Sequence, residues 1–178
     1  MTSSGASSHA FGAPGPGGAV TTADRAWLAL ACRLARASPR SATAYSVGAV
    51  IVAADGTELA RGYARELDPH DHAEEGALGK LDADDPRVAT ATLYASLEPC
   101  SHRSSRPRSC AQLLTAAGIA RVVTARRTPV PPAPDAPDGA DAPDGADGAG
   151  PLAAAGVTVL ELSEYGPAAM APNLHLLG

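Results

Sequence analysis

A three-layer α/β domain on about five strands is the fold this sequence predicts, and three observations predict it. Apolar runs suited to strands recur at 47–53, 89–95, 121–125 and 156–160. Asp55-Gly56 closes the first run and opens another at 58–63, the pattern of a hairpin turn. From there strands alternate with helices, an order that favours parallel pairing through right-handed crossovers. The expectation is an antiparallel hairpin leading into a mainly parallel part.

Each element has a local reason. Residues 1–20 carry no Asp, Glu, Lys or Arg and are mostly Ser, Gly, Ala and Pro. With no basic n-region and no continuous apolar core, residues 1–21 read as a disordered leader and not a signal peptide. Ala23, Trp27, Leu30, Leu34 and Ala37 recur at helical spacing over 22–37, with Arg25, Arg33 and Arg36 elsewhere on the wheel and Pro39 marking the end. Val47–Ala53 predicts a buried strand and Glu58–Tyr63 its return. Residues 72–81 suit a short helix starting near Asp71. Ala89–Ala95 predicts the next strand. Pro107–Ala117 predicts a helix with Pro107 in its first turn and Gly118 as its stop. Arg121–Ala125 is a further strand.

Residues 129–150 break the pattern. Ala-Pro-Asp-Gly-Ala-Asp occupies 136–141 and recurs unchanged at 142–147. Acidic, rich in Pro and Gly and without large apolar groups, this segment predicts a disordered insertion. Order is expected from Leu152, with a last strand at Gly156–Leu160 and a turn or helix at Ser163–Met170. Residues 22–178 thus read as one domain interrupted once.

Composition narrows the function classes. The formal net charge of −5 is concentrated: Asp135, Asp138, Asp141, Asp144 and Asp147 lie in the insertion, and without them the 19 acids fall to 14, against 14 bases. With no broad basic face and few aromatics for base stacking, no nucleic-acid partner is predicted. No stretch is long and apolar enough to span a bilayer, so no membrane partner is predicted and a cytoplasmic protein is expected. Of the three cysteines, Cys32 falls in an apolar helical pattern and reads as a core thiol. Cys100 and Cys110 accompany a His-x-Glu and read as metal chemistry in a reducing compartment, not as a disulfide framework.

That constellation is His72-Ala73-Glu74 with Glu98-Pro99-Cys100 and Cys110. One imidazole and two thiols suit Zn2+, and three protein ligands leave the fourth position open, as in a catalytic zinc site. Cys110 is predicted in the first turn of a helix, where amides and dipole favour thiolate. The set matches the zinc deaminase signature of His-x-Glu followed by Pro-Cys. Glu74 is then the proton shuttle: a carboxylate near the metal can accept a proton from an activated water and pass it to a ring nitrogen and to departing ammonia. Glu75 reads as a solvated helix carboxylate.

These residues resemble the cytidine deaminase-like superfamily, and within it the deaminase domain of riboflavin biosynthesis, which acts on a diaminohydroxyphosphoribosylaminopyrimidine. The resemblance is carried by Val47-Gly48-Ala49-Val50-Ile51-Val52, His72-Ala73-Glu74, Ser96-Leu97-Glu98-Pro99-Cys100-Ser101-His102, Cys110, Ala155-Gly156-Val157-Thr158-Val159 and Asn173. It implies an α/β/α sandwich on a mixed, about five-stranded sheet, a zinc cofactor, a small aminopyrimidine substrate bearing a phosphate, and a homodimer or homotetramer. The long gap between the two cysteines resembles the riboflavin-type branch. Two departures stand out: Ala44 and Tyr45 replace the family's Asn-Pro, and the loop 103–109 is one residue longer. Arg103, Arg106 and Arg108 in that loop suit phosphate recognition or solvated surface charge. His102 would contact substrate or order the loop, and Ser46 is a further candidate contact.

Two alternatives remain open on sequence. Tyr45-Ser46 before Val-Gly resembles cytidine deaminases and keeps a cytidine, CMP or dCMP enzyme, or one of specialised metabolism, in view. A non-catalytic, zinc-stabilised binding module would need a fourth protein ligand and has no use for Glu74.

Overall fold

The computed structural model describes residues 11–127 and 147–177. Thr21 opens α1 (Thr22–Leu34) with a capping box, accepting from the Asp24 amide while the Asp24 carboxylate accepts from the Thr21 amide. A 3-10 turn at Ala35–Ala37 finishes it. β1 (Gly48–Val52) and β2 (Glu58–Tyr63) then pair antiparallel across the Asp55-Gly56 turn. α2 (Ala73–Leu78), β3 (Thr92–Ala95), α3 (Cys110–Ala117) and β4 (Arg121–Thr124) follow. α4 (Ala149–Ala154), β5 (Thr158–Glu161) and α5 (Gly166–Met170) complete the order.

The sheet runs β2-β1-β3-β4-β5. β1 is antiparallel to β2 and β3, while β3, β4 and β5 are mutually parallel. This is the mixed five-stranded sheet the sequence predicts. Alternation along the strands divides the core into two layers. Val50, Val52, Tyr94 and Val123 pack with Trp27 and Leu28 of α1 and Met170 of α5. Ala49, Ile51, Leu93 and Val122 pack with Ala77 of α2, Leu114 of α3 and Leu152 of α4. Two glycines let helices approach the strands closely. A Cβ on Gly48 would meet the Ala31 carbonyl of α1 at 2.1 Å, and one on Gly62 would meet the Ala73 carbonyl of α2 at 2.7 Å.

Four expectations change. Residues 11–20 are not a loose leader. Trp27 Nε1 donates to the Gly12 carbonyl at 3.0 Å, and Arg121 donates to the carbonyls of Gly17 at 2.8 Å and Ala19 at 2.6 Å. The same guanidinium pairs with buried Asp24 at 2.6 Å, which also accepts from the Tyr94 hydroxyl at 2.6 Å and the Gly15 amide at 3.1 Å. Residues 1–10 lie outside the described residues. So do residues 128–146, most of the acidic insertion. Beyond them α4 begins at Ala149, earlier than the Leu152 expected, because the Ala149 amide donates to Glu98 Oε1 at 2.9 Å and Leu152 is buried. α3 begins at Cys110, not near Pro107, because Ser109 and Gln112 form its capping box; Gly118 closes it at φ +79° as expected. Residues 86–90 form a 3-10 turn capped by Asp85, so the third strand is confined to Thr92–Ala95.

Candidate metal centre

The three predicted ligands come from two helix starts and one loop. His72 is the N-cap residue of α2, held extended at φ −83° and ψ 157°, and Glu74 follows in that helix's first turn. Cys110 is the first residue of α3, and Cys100 lies in the loop between β3 and α3. The α3 start is fastened to that loop from the backbone: the Cys110 amide donates to Cys100 Sγ at 3.2 Å and the Ala111 amide to the Cys100 carbonyl at 3.1 Å. Unpaired amides of a helix's first turn thus meet a sulfur, a setting that favours thiolate.

His72, Cys100 and Cys110 offer ligand atoms that all lie within 4.8 Å of one another, and form a group able to hold a metal ion. The fit to zinc is testable by distance. Tetrahedral zinc with Zn–N of about 2.0–2.1 Å and Zn–S of about 2.3 Å sets nitrogen and sulfur donors roughly 3.5 Å apart. His72 Nδ1 is 3.6 Å from Cys100 Sγ and 3.3 Å from Cys110 Sγ. The donor set and its spacing both suit zinc.

Glu74 lies alongside, 3.6 Å from Cys110 Sγ and almost fully buried. Burial pushes its carboxyl up from the usual range against the opposing pull of His72. The two thiols share protons unequally. Donation from Cys110, helped by His72 and opposed by burial, draws Cys100 down to about 5, while Cys110 is pushed up by the same pairing and by burial.

The loop arginines divide. Arg103 has a fully buried side chain, donating to Glu75 Oε2 at 2.7 Å with Nη1 4.0 Å from Cys110 Sγ. Its Nε is buried with no hydrogen-bond partner among the described residues. Arg106 is half-buried and engages Asp71 at 3.1 Å, Asp68 at 3.2 Å and Glu75 at 3.8 Å. Glu75 is thus no solvated carboxylate but the anchor of both arginines, a pairing across 28 positions with no local sequence signal. Arg108 and His102 are exposed. Ser46 is buried, its backbone exchanging bonds with the Asn173 amide at 2.6 and 2.9 Å, and its hydroxyl accepts from Arg65 at 3.3 Å. The structure brings Glu74 and Arg103 to the metal ligands; the contacts of Ser46 lead to Asn173 and Arg65. Cys32 is the core thiol expected, pushed up to about 11 by burial.

Comparison with known proteins bears on this arrangement. Residues 21–126 match the family model described as the cytidine and deoxycytidylate deaminase zinc-binding region. The chain is 37% identical over 89 residues to the diaminohydroxyphosphoribosylamino-pyrimidine deaminase of Schizosaccharomyces pombe, covering 49% of this chain and 22% of that one. It is 44% identical over 87 residues to the riboflavin biosynthesis protein RibD of Escherichia coli, covering 48% and 22%. The chain thus spans 22% of the length of these curated relatives. Among solved structures, RibD of Acinetobacter baumannii superposes with a TM-score of 0.66 at 28% identity, covering 86% of this chain and 39% of that one. A dCMP deaminase from cyanophage S-TIM5 shares the fold at a TM-score of 0.56 and 22% identity, covering 78% and 95%. The matched region holds His72, Glu74, Cys100 and Cys110 together with the strands and helices that bring them into contact, and the chain belongs to the cytidine and deoxycytidylate deaminase zinc-binding family.

Proposed function

We propose that this chain is a hydrolytic deaminase of an aminopyrimidine, with His72, Cys100 and Cys110 as zinc ligands and Glu74 as the catalytic proton shuttle. The carrying observation is the buried Glu74 carboxylate beside a three-donor group, 3.6 Å from one donor and outside that group. When bound, zinc supplies Lewis acidity that makes water nucleophilic near neutral pH. Glu74 takes a proton from the attacking water and gives it to a ring nitrogen, which makes the amine-bearing carbon electrophilic. Water's oxygen bonds to that carbon as a hydroxyl; Glu74 then takes the hydroxyl proton and gives it to the amine, the carbon–nitrogen bond breaks, ammonia leaves and a carbonyl remains. Its raised affinity for protons suits a group that must hold one between two transfers. Arg103 and Glu75 brace the ligand loop against α2.

We assign the diaminopyrimidine ribosyl phosphate of the riboflavin pathway as substrate. The relatives at 37% and 44% identity, named for that deamination and that pathway, support this assignment. Tyr45 in place of the family's Pro and Ala44 in place of its Asn support a second reading, a cytidine, CMP or dCMP deaminase. An ammonia-release screen of the zinc-loaded protein separates them. Turnover of the riboflavin-pathway phosphate well above that of cytidine, CMP and dCMP supports the first; the reverse order supports the second.

A further inference from the structure

We propose that a cleft bordered by Arg36, Ser38, Arg40, Ser46, Pro172 and His175 is an anion site that takes a phosphate monoester. The proposal deepens the deaminase reading and rests on it only for which phosphorylated molecule is bound. The cleft measures about 170 Å³, large enough for a phosphate, and no carboxylate among the described residues lines it. Arg36 and Arg40 have no ion-pair or hydrogen-bond partner among the described residues. A third guanidinium lies behind them. Arg65 donates to the carbonyl oxygens of Pro39 at 2.7 Å and Tyr45 at 2.9 Å and to Ser46 Oγ at 3.3 Å, and no carboxylate among the described residues pairs with it. Because Ser46 Oγ accepts from Arg65, its own proton is free to donate to a ligand. His175 Nε2 donates to the Ser41 carbonyl at 2.8 Å, which fixes the ring at the cleft's rim.

Phosphate is the ligand class this set recognises: two uncommitted forked donors, a hydroxyl, and unbalanced positive charge. Cations near the end of α1 also answer that helix's dipole. Arg40 and His175 lie beyond that end on separate segments and both line the cleft. The loop arginines offer a contrast, since Arg103 and Arg106 are already committed to Glu75, Asp68 and Asp71. The cleft is joined to the metal centre's supports. Ser46 leads into Gly48, whose amide donates to Ser96 Oγ at 3.1 Å, and the Arg65 amide donates to the Asp71 carbonyl at 2.8 Å, next to His72.

The test is calorimetric titration of the full zinc-loaded chain with inorganic phosphate, ribose 5-phosphate and ribose. Both phosphates should bind, more weakly as salt rises, and ribose should not. R36A and R40A should each lower phosphate affinity about tenfold or more, the loss expected for one charge-assisted contact, with zinc content unchanged. No phosphate binding by the unaltered protein, or undiminished binding by the R36A/R40A double variant, overturns the proposal. A competition arm then assigns the ligand. Ribose 5-phosphate that competes with the aminopyrimidine phosphate in ammonia release marks the cleft as the substrate's phosphate site; binding without competition marks a site for a separate phosphate monoester. Failure of the deaminase reading is distinct, since it appears as no ammonia from any substrate while phosphate binding still decides the cleft.

Discussion

Glu74 and Glu75 are adjacent carboxylates in the first turn of α2 with opposite surroundings. Glu74 is buried 3.6 Å from Cys110 Sγ, and burial raises its hold on a proton. Glu75 is spent on Arg103 and Arg106. The His-x-Glu and Pro-Cys patterns made His72, Glu74 and Cys100 legible in the sequence as candidates, and the structure brings His72 and Cys100 together with Cys110. Glu75 was not legible, because its partners lie in a distant loop and only the folded chain brings them together. Cys100→Ala leaves two donors at the site, and zinc content measured after dialysis should fall well below one ion per chain. Glu75→Gln leaves the buried Arg103 guanidinium without its carboxylate. Denaturant unfolding should show a loss of about 1–3 kcal/mol, the usual cost of leaving a buried donor poorly satisfied.

The metal ligands depend on how closely α2 and α3 approach the sheet. A methyl at Gly62 would press on the Ala73 carbonyl at 2.7 Å and on the Ala77 amide at 2.8 Å, displacing the helix that His72 caps. Gly62→Ala should therefore weaken zinc binding in a chelator competition even where the protein stays folded. On the opposite face, Asp24 ties α1 to β4 and to residues 11–20. Burial pushes its carboxyl up, but bonds from Arg121, Tyr94 and Thr21 outweigh this and hold it at about 2, below its usual 3.8. A depressed carboxyl stabilises the folded state above its unfolded pKa. Asp24 thus contributes about 2 kcal/mol above roughly pH 4, lost as pH falls toward 2. Chemical denaturation from pH 5 to 2.5 should show that slope, and Asp24→Asn should flatten it. Neither the Thr21-Asp24 capping box nor the pairing with Arg121 was among the features read from the sequence; a charged residue in a buried strand does not declare its partner.

Over the whole chain, continuous apolar runs and the Asp55-Gly56 turn made the mixed sheet legible. What escaped was held by contacts without a pattern. Residues 11–20 have no apolar periodicity, and their docking comes from their carbonyls bonding to Trp27 and Arg121. α4 is short and Gly- and Pro-bearing, and Glu98 and the burial of Leu152 fix its start. We expect removal of residues 130–146 to leave the melting temperature nearly unchanged and removal of 130–149 to lower it by several degrees, since only the longer deletion takes the Ala149 amide from Glu98. Deamination itself stands or falls on Glu74. Zinc content and ammonia release should be measured together on the zinc-loaded protein and on Glu74→Gln. One zinc per chain in both, with turnover of the diaminopyrimidine phosphate falling about 10²–10⁴-fold in the variant, is the predicted result. Near-normal ammonia release by Glu74→Gln would contradict it.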